Sequence, residues 1–156
     1  AMTDDWPDLL GGDVKAKEIA ASVVTIEDVI LETSGDGGQQ IKWSDAQKEV
    51  KFFGHCHQRA LTGTSSSVTA LNMPPGFEAT EISAGCCGMA GSFGYEKSHI
   101  EVATAAGEDR LFPAIREANA NTEIATNGIS CREQIGFNTP RESRHVVEIL
   151  ADALFD

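Results

Sequence analysis

The chain is poor in positive charge. Lys and Arg together number 12 among 156 residues, against 24 Asp and Glu, a formal net charge of −12. With no basic stripe to displace the counterions of a phosphate backbone, nucleic acid is excluded as an expected partner. Long hydrophobic runs are missing as well. No stretch approaches the ~20 apolar residues needed to cross a bilayer, and the opening AMTDDWPDLL has neither the basic nor the apolar region of a secretory leader. The sequence therefore predicts a cytoplasmic chain with no transmembrane segment. Cysteine is scarce too, at four residues: Cys56, Cys86, Cys87 and Cys131. In a cytosolic chain of this size they point to metal, redox chemistry or inert buried thiols and not to a disulfide framework. A hydrolase elbow is absent, because GTSSS at 63–67 lacks the glycine on its far side.

What is present is enough apolar residue, 41%, for one core. Ala1 reads as a leftover cloning residue, and the chain is expected to be a fragment of a longer protein. The first third predicts lead-in helices at VKAKEIAA and TIEDVILET. In the second, Ile26, Val29 and Ile30 share a face and Thr25 is placed to cap. SGDGGQQ at 34–40 reads as a mobile loop, which sets the expected division at 1–46 for the lead-in and 47–156 for the compact domain. Beyond it, short apolar runs alternate with helical segments. Strands are predicted at 49–54, at 77–83 and in TEIATNG. Helices are predicted between 58 and 73, in HIEVATAAGE, in DRLFPAIREANA with the apolar face Leu111, Phe112, Ile115 and Ala118, from Ser130, and in HVVEILADALF with Val147, Leu150 and Leu154 on one stripe. Alternation of this kind predicts an α/β fold: a small parallel sheet covered by helices, three-layered and Rossmann-like.

Each cysteine falls just past a predicted strand: Cys56 after VKFFGH, Cys86 and Cys87 after FEATEIS, Cys131 after EIATNG. Parallel strands put those ends at one edge of the sheet, the edge where open α/β sheets bind ligands, so the four thiols form one candidate site. Between Ser83 and Gly94 the chain reads SAGCCGMAGSFG. Its glycines at 85, 88, 91 and 94 are expected to supply positive-φ turns and to bring N–H groups close to the sulfurs. Packed thiolates repel one another unless a metal centre neutralises them, and N–H···S hydrogen bonds tune such a centre. Ser130 is expected to cap the helix of Cys131. The glycine series is G-x-x-G-x-x-G, neither a dinucleotide fingerprint nor a P-loop. His55 and His57 either ligate metal or, as preferred here, support the sulfurs from around the site. His99 and His145 read as helix-start or surface residues, and Tyr95 as part of a solvated helix start. Buried free thiols and a structural zinc remain open readings of the same four cysteines.

GHCHQRAL, AGCCGMAGSFGYEKSH, ATNGISCREQI and the terminal SRHVVEILADAL together resemble the cysteine-rich CCG domain. That domain occurs in the C-terminal part of fused FAD and iron-sulfur oxidoreductases of the D-lactate, glycolate or D-2-hydroxyglutarate dehydrogenase type, and in an iron-sulfur component of heterodisulfide reductase. The resemblance covers residues 49–154 well and 1–48 weakly. It implies an iron-sulfur centre on Cys56, Cys86, Cys87 and Cys131, with His55, His57, Gly85, Gly88 and Gly128 around it. Gly128 stands where the family's fifth cysteine falls, so the resemblance implies a four-thiolate [4Fe-4S] cube, absent or replaced by zinc in an isolated domain. It further implies upstream flavin (FAD) and ferredoxin-like domains as partners, and an electron-transfer module that by itself oxidises no hydroxy acid. The alternatives are a structural zinc or protein-interaction domain, and thiol–disulfide chemistry of the heterodisulfide reductase kind.

Overall fold

The strand expected in EVKFFGH forms as β1 (Lys48–Phe52) and lies in the middle of a three-stranded sheet of order β2-β1-β3. The computed structural model describes residues 2–34 and 41–155. Both neighbours, β2 (Phe77–Glu81) and β3 (Glu123–Ala125), run parallel to β1. Their registers bring Phe52 opposite Glu81 on one side and Ala125 on the other, so the three carboxyl ends finish level. Val50 and Phe52 are fully buried in the central strand, as parallel strands covered by helices require. The fold class is α/β, as the alternating pattern predicts.

The chain divides into two compact units, residues 1–38 and 39–156, with all four cysteines in the second. In the first unit, α1 (Asp5–Leu9), α2 (Val14–Ser22) and α3 (Ile26–Thr33) succeed one another. Asp13 caps α2 by accepting from the N–H groups of Lys15 and Ala16. Thr25 caps α3 as expected and forms a capping box with Asp28, which satisfies two of the end N–H groups that a helix leaves open. α1 has no counterpart among the expected elements. The glycine-rich stretch expected as a mobile loop lies, apart from Ser34, outside the described residues.

In the second unit α4 (Cys56–Leu61) and α5 (Ser65–Leu71) follow β1, and α6 (Ile100–Glu108) and α7 (Leu111–Glu117) lie between β2 and β3. α8 (Ile129–Asn138) and α9 (Val146–Ala151) close the chain. Leu111, Phe112 and Ile115 are fully buried on α7, with Ala118 partly buried beside them, as the spacing predicts. Two expectations need correction. Leu150 is buried on α9 as expected, but its companions on that face are Val146 and Ile149, not Val147 and Leu154. The helix ends at Ala151, and Leu154 forms a β-bridge with Trp43 instead. Ser130 does not cap α8 either: Gly128 occupies that position without a side-chain cap, and Ser130 lies inside the helix.

Candidate thiol centre

The elements deliver the four thiols to one edge. Cys56 opens α4 four residues after β1, Cys86 and Cys87 follow β2 in an irregular loop, and Cys131 lies in the first turn of α8 after β3. Two of them meet: Cys87 Sγ lies 3.0 Å from Cys131 Sγ. Both belong to the apolar cluster of Phe53, Ile82, Met89, Leu111, Phe112, Ile115, Ile124 and Ile135. Cys86 is half-buried and Cys56 exposed, and either, once ionised, would oppose ionisation of Cys131. Cys86, next in the chain, also favours ionisation of Cys87. The structure thus brings Cys87 and Cys131 into direct contact, and places Cys56 and Cys86 just past the ends of β1 and β2. Among the described residues no three Cys, His, Asp or Glu side chains are drawn close enough to hold a metal ion as they stand.

The loop backbone explains why the sulfurs sit there. Gly88 has φ +94° and Gly91 φ +70°, whereas Gly85 and Gly94 do not adopt positive φ, which corrects half of that expectation. Gly88 N–H donates to Cys86 Sγ at 3.3 Å. A Cβ at Gly88 would lie 1.9 Å from the Ala103 carbonyl oxygen, so α6 packs directly onto the turn. Gly94 is needed for room, since a Cβ there would fall 2.7 Å from Met89 Sδ. The open cleft of about 320 Å³ bordered by Met89, Tyr95, Ile100 and Phe137 lies beside the centre, and none of the cysteines lines it.

The contact between Cys87 and Cys131 divides one proton between two sulfurs. The hydrogen bond from Cys131 lowers the Cys87 thiol to about 6, with N–H groups of Met89 and of Cys87 itself helping against burial. The same bond, then burial, then the charges of Cys87, Cys56 and Cys86 push Cys131 far up. In the metal-free chain one thiolate of the pair is expected to form with a midpoint about 6, and the second only in strong alkali. Ultraviolet thiolate absorbance against pH checks this. A metal-free chain with no thiolate below about pH 8, the ordinary thiol range, refutes it.

The surrounding residues take the following places. His55 caps α4, its Nδ1 accepting from Gln58 N–H at 3.2 Å, which puts the proton of the neutral ring on Nε2. Burial, then the nearby His57 and Arg59, hold it below the usual histidine range. His57 is exposed, with its ring 6.4 Å from that of His55. A Cβ at Gly128 would lie 3.0 Å from His55 Cβ and 3.1 Å from Cys131 Sγ, so any side chain at this position would crowd the sulfur. His99 and His145 stand at helix starts as expected, the first stacked on Phe93, the second in a capping box with Glu148. Tyr95 donates to Glu133, two residues past Cys131.

Sequence reasoning missed Arg59. Its Nη1 donates to Ala84 O at 2.7 Å and its Nη2 to Gly85 O, which ties the Cys56 helix to the loop of Cys86. The i, i+3 spacing from Cys56 put Arg59 on the right turn, but partners 25 and 26 residues away leave no local signal.

The chain is 28% identical over 154 residues to one of the subunits of the anaerobic glycerol-3-phosphate dehydrogenase of Escherichia coli (strain K12), covering 99% of this chain and 38% of that protein. It is 34% identical over 104 residues to the D-2-hydroxyglutarate dehydrogenase of the same strain, 66% of this chain and 10% of that protein. The corresponding dehydrogenase of Pantoea ananatis (strain AJ13355) is 30% identical over the same length. The chain therefore spans well under half of these relatives and is homologous to a portion of each. No protein-family model matches it, and no solved structure matches it significantly. Among the described residues no helix is long and apolar enough to cross a membrane.

Proposed function

We propose that this chain is a cytoplasmic electron-transfer domain of a dehydrogenase, holding an iron-sulfur centre through Cys56, Cys86, Cys87 and Cys131. The observation that carries the reading is the meeting of Cys87 and Cys131 at the carboxyl edge of a parallel sheet, with the other two thiols at the same edge. The donor set fits by its chemistry: four soft thiols, one already easily ionised, beside a glycine turn whose N–H faces sulfur. A lone zinc ion fits less well. The four cysteines include no C-x2-C pair, and the adjacent Cys86 and Cys87 are awkward ligands for one small tetrahedral ion. A multi-iron centre binds each thiolate to a different iron, so Cys87 and Cys131 would part from their 3.0 Å contact on loading. Such a centre, when bound, takes up and releases single electrons.

The chain's own residues have three tasks here. The sulfurs anchor the centre, the amides of Gly88 and Met89 lower the charge on them, and the apolar cluster around Cys87 and Cys131 keeps water from that side. Similarity to two dehydrogenases supports a place in an oxidoreductase whose substrate, a 2-hydroxy acid or a related alcohol, is oxidised by an FAD domain elsewhere in the parent enzyme. The [4Fe-4S] form follows from four thiols with Gly128 in the place of a fifth.

Anaerobic reconstitution of the chain with ferrous iron and sulfide is expected to give a broad visible absorption that dithionite bleaches, with about four irons per chain. Uptake of zinc alone would replace the reading with a structural one. A chain that takes neither, but loses two thiols to a small disulfide oxidant, would replace it with thiol–disulfide chemistry.

A further inference from the structure

We infer that Arg59 is the positioning residue that fixes Cys56 against the Cys86–Cys87 loop; its relevance to a metal centre rests on the reading just given. The argument begins with what α4 lacks. The helix has six residues and buries none of them, and Cys56, at its first position, is exposed. The other three thiol-bearing positions are anchored differently: Cys87 and Cys131 by the apolar cluster, and Cys86 by its chain neighbour. Burial accounts for most of the force holding a short helix in place, so α4 depends on polar ties.

Gln58 and Arg59 both reach other elements. Gln58 Nε2 donates to Ser67 Oγ at 2.8 Å, which joins α4 to α5 and leaves its distance from the thiol loop open. Arg59 sets that distance. It lies one turn beyond Cys56, on the same side of the helix, and its two terminal nitrogens donate to the carbonyls of Ala84 and Gly85, the two residues just before Cys86. Its guanidinium carbon stands 5.7 Å from the ring centre of Phe53, itself buried in the cluster that holds Cys87 and Cys131. A Cβ at Gly54 would lie 2.3 Å from Thr64 Cγ2 and 3.3 Å from Arg59 Cγ, so the glycine makes room first for Thr64 and secondarily for the Arg59 stem. One side chain therefore bridges the Cys56 helix, the Cys86–Cys87 loop and the core beneath them.

A planar fork is what two consecutive carbonyls require. Lysine offers a single point of donation and can satisfy one of them, while methionine keeps the apolar stem over Phe53 and satisfies neither. This grading supplies the test, on the full chain, with Arg59→Met and Arg59→Lys.

In the metal-free chain, amide hydrogen exchange of α4 is expected to quicken about tenfold in Arg59→Met, less in Arg59→Lys, while β1 and α7 keep their protection. After anaerobic loading with iron and sulfide, Arg59→Met is expected to lose iron to a chelator at about tenfold lower concentration. It should also show an altered electron paramagnetic resonance spectrum when reduced, and Arg59→Lys should restore part of both. Unchanged exchange in α4, or loading and spectrum identical to the parent chain in Arg59→Met, would overturn the inference. Should Arg59→Met fail to fold, the lysine variant carries the same comparison. If the parent chain takes up no iron while α4 still loosens in Arg59→Met, the clamp stands and the iron-sulfur reading falls.

Discussion

Gly88→Ala is expected to cost about 4 kcal/mol or more, a large share of the ~5–15 kcal/mol by which a domain of this size is stable. Two effects combine. The backbone sits at φ +94°, a conformation that costs an L-residue about 1–2 kcal/mol. The added methyl would also stand 1.9 Å from the Ala103 carbonyl oxygen and 2.6 Å from its carbon. That second contact is with helix backbone, which cannot step aside as a side chain can, so α6 must move off the loop. Gly91→Ala isolates the first effect, because φ is +70° there and nothing lies within 4 Å of the new atom. It is expected to cost about 1 kcal/mol. Urea unfolding of the two variants, read as midpoints at unchanged slope, checks the difference. Equal midpoints would show that α6 does not pack on the turn. Because the turn that must shift also aims the residue-88 N–H at Cys86 Sγ, the variant should lose iron uptake together with stability.

The second large effect separates those two properties. Cys87→Ser is expected to abolish iron-sulfur uptake while lowering stability by only about 1–2 kcal/mol. The hydroxyl is close to the thiol in size and can still hydrogen-bond Cys131, but it is a hard donor, sits deep in an apolar cluster, and ionises far above any working pH. Iron content and visible absorption after anaerobic loading give the first quantity and urea unfolding the second. Undiminished uptake would remove Cys87 from the centre. Collapse of the fold with this change alone would mark the pair as structural. Cys56→Ser offers the contrast, because its thiol is exposed: stability should be untouched and uptake reduced.

Much of the fold can be read along the chain because its signals are local. The run EVKFF is bounded by polar residues and followed by glycine, and it forms a strand buried on its apolar positions; Leu111, Phe112 and Ile115 recur at helical spacing and are buried at that spacing. The strand ends then place all four cysteines on one rim without knowledge of a single distance. Where the reading slips, a longer-range contact decides. Leu154 leaves the stripe of α9 because it pairs with Trp43, far earlier in the chain. The apolar face foreseen on α3 is only thinly covered, with Ile26 48% and Val29 37% exposed, so periodicity identified the helix but not what it packs against. Gly85 and Gly94 look like Gly88 and Gly91 in a G-x-x-G-x-x-G series, yet one keeps ordinary backbone angles in open space and the other is required by the bulk of Met89. In the site, chemistry-bearing residue types announce themselves, whereas the arginine that holds them in register does not.

Half of the thiol set, Cys87 and Cys131, is embedded among the same phenylalanines and isoleucines, with Leu111, that hold the sheet to its helices. Whatever those sulfurs grip is therefore gripped by the interior and not by the skin of the protein. Loading would register throughout the second unit as a raised melting temperature, and an empty chain would be the softer substrate for proteases. If a centre binds there, its loading would stiffen an interior that is already folded without it.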